Sequence, residues 1–146
     1  MFLLLLPFLL VICHAGQEAN DAANEFLKLY GNALETSNIN ELNSLIDEEY
    51  KLYPCDVTRN SMDREDIIET VKFMPQQTIK LSKRTLEDAG FSNNKKTLTI
   101  VVNLGGYTRT IMEASLEARG WVIHYEQLND CKNEYPIAAI IQNRGL

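Results

Sequence analysis

The hydrophobic period of this chain changes once. Before Pro75 the apolar residues recur at steps of three and four, and after it they alternate with polar ones. A chain patterned this way folds as helices followed by strands, which predicts an α+β domain with helices packed on an antiparallel sheet. Ala19, Ala23, Phe26, Leu27, Tyr30, Ala33 and Leu34 lie on one helical stripe, predicting a first helix over about 18–36. Asn38 followed by Glu41 resembles a capping box, opening a second helix with Leu42, Leu45 and Ile46 on its core face. Tyr50 to Tyr53 reads as a short strand ended by Pro54. Polar Asn60, Ser61 and Asp63 announce a third helix carrying Ile67, Ile68, Val71 and Met74. Alternation then marks strands at Ile79–Leu81, Leu98–Leu104 and Trp121–Leu128, with turns at 90–94, Gly105-Gly106 and Arg119-Gly120. The second half therefore reads as a four-stranded antiparallel meander.

The chain starts with thirteen uncharged residues, MFLLLLPFLLVIC, followed by small residues around Ala15. That length fits the roughly 7 to 15 residues of a signal-peptide core and falls short of the about 20 that span a bilayer. Residues 1–15 are thus expected to be a signal peptide, and residues 16–146 one secreted, extracellular domain free of the membrane after cleavage. Residues beyond Cys131, about 132–146, form a tail without clear period, read as a short helix, a strand or an arm toward a partner subunit.

The formal net charge is −6, and the basic pairs Lys83-Arg84 and Lys95-Lys96 are short. Nucleic acid, which needs a clustered cationic surface, is not an expected partner. Each pair reads as a solvated strand face or turn. With Cys13 removed, Cys55 and Cys131 form an even pair, and an oxidising compartment favours a disulfide between them. The alternative, zinc, has only two isolated cysteines and His124 to draw on and lacks closely spaced ligands, so no metal or cofactor is expected. Arg109 and Glu113 share a strand face, either as a buried acid-base pair or as solvated charges.

The segments AANEFLKLYGNALETSNINELNSLI, MDREDIIETV and ARGWVIHYEQL, in the order helix-helix-strand-helix-meander, resemble the nuclear transport factor 2-like (SnoaL-like) family over about Asp21 to Asp130. The resemblance implies three helices on a strongly curved antiparallel sheet, a cone whose interior can hold an apolar ligand. Steroid isomerases of this family carry a tyrosine oxyanion donor on the first helix, a place that Tyr30 takes. Their base position falls at Tyr53-Pro54, where no carboxylate stands. Asp56, His124 and Glu126 are the remaining candidate bases, and Tyr30, Tyr53 and His124 the candidate ligand contacts. Simple alternation puts His124 on one face with Val122, Glu126 and Leu128, and Trp121, Ile123, Tyr125 and Gln127 on the other. A donor without a base has no charge to stabilise. The expected function is therefore a secreted non-catalytic domain binding a small hydrophobic ligand or a protein partner, with homodimerisation through the outer sheet face. The alternative is an isomerase, dehydratase or cyclase acting on a hydrophobic carbonyl compound.

Overall fold

A computed structural model describes residues 6–55, 60–73, 82–105 and 108–129, with side chains from residue 16 onward. Helix α1 runs Leu6–Glu35, α2 Ile39–Leu45 and α3 Arg64–Phe73. Strands are β1 Ile46–Tyr53, β2 Met62–Asp63, β3 Arg84–Phe91, β4 Thr97–Leu104, β5 Thr108–Glu117 and β6 Gly120–Asn129. The strand expected at Ile79–Leu81, the fragment around Asp56, and Cys131 with the tail lie outside the described residues.

Local chemistry sets the helix ends. Ser37 adopts φ 52°, so the Asn38 N–H reaches the Ala33 carbonyl at 2.9 Å and the Ser37 N–H the Leu34 carbonyl at 3.3 Å, closing α1 with paired C-terminal bonds. Asn38 then caps α2: its Oδ1 accepts from the Glu41 N–H at 3.2 Å, and its amide donates to the Glu41 carboxylate at 3.1 Å. Asp63 and Asp66 do the same for α3, each carboxylate accepting the other's backbone N–H at 3.0 Å. The second helix is shorter than its apolar pattern suggests. Ile46, read as a helical core residue, instead opens β1 in extended conformation.

Among the described residues the strands form one sheet in the order β2-β1-β6-β5-β4-β3. Strands β3 to β6 make the expected antiparallel meander, in which Leu98↔Ala114, Ile100↔Met112 and Val102↔Thr110 face each other across β4 and β5. The sheet as a whole is mixed, because β1 runs parallel to β6. A parallel neighbour requires a long connection, and α3 with the first three meander strands supplies it. The helices cover one face of this sheet. Phe26, Tyr30, Leu34, Leu42, Tyr50, Leu52, Leu98, Ile100, Met112 and Ile123 are fully buried between the two layers, each contributing about 1.5–3 kcal/mol by leaving water.

One irregularity decides what the last strand presents. Glu113 pairs with Tyr125 and Ala114 with Ile123, so His124 is an extra residue bulged out of β6. The bulge resets the alternation. Ile123, Glu126 and Leu128, opposite inward-facing Ala114, Met112 and Thr110, all point into the interior, whereas simple alternation separates Ile123 from Glu126. His124 points the other way.

Candidate functional site

The interior contains a charged cluster at its centre. Arg84, from the start of β3, extends across the concave face of β4 and β5 to Glu126 on β6. Its Nη1 lies 2.5 Å from Glu126 Oε1 and 3.2 Å from the Met112 sulfur. Both side chains are nearly sealed from water, at 3% and 0% exposure. The Tyr30 ring covers the guanidinium, 5.0 Å from centroid to Cζ, and stacks on Phe26 at 5.8 Å. Arg84 was expected in a solvated basic pair. Its burial is possible because a carboxylate, a thioether and an aromatic face replace the water that it gives up.

The second carboxylate oxygen is also occupied. Tyr50 donates its hydroxyl to Glu126 Oε2 at 2.9 Å, and the Tyr30 side chain lies next to that of Tyr50 in the same buried cluster. Glu126 is thus held by Tyr50 on one carboxylate oxygen and by Arg84 on the other, with the Tyr30 ring over the guanidinium. Burial, followed by the nearby Glu126 charge, pushes both tyrosine hydroxyls well above the ordinary phenol range. For Arg84, burial opposes the charge, but the facing Glu126 carboxylate outweighs it and holds the guanidinium protonated.

The other residues singled out from sequence sit elsewhere. Tyr53 is exposed on β1, its ring 5.5 Å from that of Tyr125. His124 is on the outer face, its Nδ1 3.2 Å from Ser115 Oγ and its Nε2 3.6 Å from Glu113 Oε2. Glu113 therefore faces His124 rather than Arg109, which pairs with Glu87 at 3.1 Å. Asp56 lies outside the described residues. Cys55 is half-buried against the core, and its expected partner Cys131 lies outside the described residues. Only Tyr30 and Glu126 come together. Sequence reasoning missed Tyr50 and Arg84: the first reads as an ordinary apolar position, and the second needs knowledge that a β3 residue reaches β6.

Two further features lie nearby. Thr108 and Thr110 on β5 are buried with hydroxyls that have no hydrogen-bond partner among the described residues. Between α1 and the start of β3 lies an open groove of about 430 Å³, lined by Asn24, Leu27, Lys28, Asn32 and Glu35 on one side and Ser82 and Arg84 on the other. Helix α1 approaches closely there because Gly31 has no side chain: a Cβ would lie 3.3 Å from the Ser82 carbonyl oxygen. Among the described residues no three His, Cys, Asp or Glu side chains converge as metal ligands.

No protein-family model matches the chain, and no curated protein matches it. Solved structures do. The chain is similar to a nuclear transport factor 2-like protein from Cytophaga hutchinsonii, with TM-score 0.56 and 11% identity over 76% of this chain and 97% of that one. A nuclear transport factor 2-like protein of unknown function from Silicibacter pomeroyi gives TM-score 0.57 and 9% identity, covering 77% and 96% of the two chains. A de novo designed protein with a curved β-sheet gives TM-score 0.52 and 12% identity, covering 75% and 98%. At these identities the likeness establishes the fold: three helices on a curved sheet, in the nuclear transport factor 2-like arrangement. Function does not follow from it, since a designed protein shares the same architecture.

Proposed function

We propose that this protein is a secreted nuclear transport factor 2-like domain whose cone interior is structural rather than catalytic, and which acts by binding a protein partner. One observation carries the reading. The place where an isomerase would hold its oxyanion donor and base is filled by the chain's own groups. Tyr30 is buried with its ring over Arg84, and both oxygens of Glu126 are engaged, one by Arg84 and the other by Tyr50. A general base must come within hydrogen-bond reach of the proton it takes, and Glu126, with 0% exposure, is reached only by opening these contacts.

Secretion is supported by the uncharged N-terminal segment that ends in small residues around Ala15. The proposed Cys55–Cys131 disulfide belongs to the same compartment.

A second reading, a small ligand held inside the cone, is favoured by one observation, the unpartnered Thr108 and Thr110 hydroxyls. Buried hydroxyls without partners are costly, and a ligand acceptor would satisfy them. Native mass spectrometry of the secreted protein separates the two. The protein-binding reading expects the bare polypeptide mass with the N-terminus at Gly16. A stoichiometric co-purified small molecule, identified after extraction, would replace it with the ligand reading.

A further inference from the structure

The outer sheet face carries a constellation that the interior account does not use. Glu113 and Ser115 are two apart on β5 and so share a face, and the β6 bulge delivers His124 between them. Ser115 Oγ lies 3.2 Å from His124 Nδ1, and Glu113 Oε2 lies 3.6 Å from His124 Nε2. Glu113 and His124 are 42% and 35% exposed, so reagents reach them while the sheet still holds their backbones. A hydroxyl, an imidazole and a carboxylate in this sequence of contacts are the three parts of an activated serine nucleophile, recognised by geometry rather than chain order.

We propose that Ser115 is a nucleophile for acyl transfer from small activated esters, with His124 as its general base and Glu113 as the positioning residue. In the acylation step Ser115 Oγ forms a bond to the ester carbonyl carbon and its proton passes to His124 Nδ1. The bond from that carbon to the alcohol oxygen breaks, and the departing alkoxide takes the proton back from the imidazolium. Water then attacks the acyl-serine, giving its proton to His124, which returns it to Ser115 Oγ as the carboxylic acid leaves. The sum is one ester and one water converted to one acid and one alcohol. For Nδ1 to accept, Nε2 must carry the hydrogen, and Glu113 is placed to favour that tautomer. Half-exposed side chains of this kind suit small acyl groups. The inference concerns the face opposite the Arg84–Glu126 cluster and stands whether or not the interior binds a ligand.

The test uses p-nitrophenyl acetate with the full secreted protein, followed by peptide mapping of the acylated residue and by release of p-nitrophenol. The expected result is acetylation at Ser115, absent in Ser115→Ala, and slowed about 100-fold or more in His124→Gln, the low end of what a positioned base supplies. Glu113→Ala should slow labelling, and Glu113→Asp, which keeps a carboxylate near His124 Nε2, should restore part of the rate. Thermal unfolding of each variant, expected to match the wild type because all three side chains are at the surface, separates lost chemistry from lost fold. Ser115 left unmodified in folded protein, or acetylated equally fast in folded His124→Gln, would overturn the proposal.

Discussion

At the scale of single residues, sensitivity to substitution concentrates in a buried pair of opposite charges. Taking Arg84 and Glu126 out of water is expensive, and only mutual contact, Tyr50 and the Tyr30 face offset it. Removing one member leaves the other charge buried without compensation. Glu126→Ala should therefore lower unfolding free energy by about 3–5 kcal/mol in urea titrations, whereas the double change Arg84→Met with Glu126→Leu should cost far less. A double variant as unstable as the single one would mean that the pair contributes more than its own desolvation. The tyrosines add a pH dependence whose sign follows from their raised values. The folded state keeps Tyr30 and Tyr50 neutral, so their contribution is complete below the free phenol value of about 10 and is lost as pH rises above it. Chemical denaturation between about pH 9 and 11 should show falling stability, and Tyr30→Phe should flatten the fall.

At the scale of elements, the capped start of α2 was legible and the interior of β6 was not. Asn38 with Glu41 is a local signal, and the two bonds at 3.2 and 3.1 Å realise it. Asn38→Ala should cost about 1 kcal/mol, measured as a lower denaturation midpoint with unchanged slope. The apolar stripe of α1 and the alternation of β4 likewise needed only neighbours in sequence, and both faces match. A bulge is different, because it exists only relative to a partner strand. Nothing in Trp-Val-Ile-His-Tyr-Glu marks His124 as the extra residue until the β5 register places Glu113 against Tyr125 and Ala114 against Ile123. That one insertion moves Glu126 inward and His124 outward, and it creates both clusters. The parallel pairing of β1 with β6 was hidden for the same reason: alternation tells which face a residue takes, but not which neighbour its strand has.

At the scale of the whole molecule, a curved sheet covered by helices is a shape that can enclose a ligand, and here the chain's own side chains occupy its described centre. Phe26, Tyr30, Tyr50, Met112 and the Arg84–Glu126 pair occupy the described centre of the cone. A disulfide between Cys55, just past β1, and Cys131, just past β6, would tie together two neighbouring parallel strands. Non-reducing peptide mapping should find it, and its removal should lower stability by about 2–5 kcal/mol; two free thiols would contradict it. The central claim is that Tyr30 and Glu126 belong to a structural cluster around Arg84 rather than to a catalytic site, and steady-state assay of wild type and Tyr30→Phe on a panel of ketosteroids and small enones tests it most directly. The account predicts no isomerisation above background in either protein, and a folded Tyr30→Phe with stability within about 1.5 kcal/mol of wild type, the net worth of one hydrogen bond. Turnover by the wild type that falls about 100-fold or more in Tyr30→Phe, the scale of losing one oxyanion donor, would contradict it.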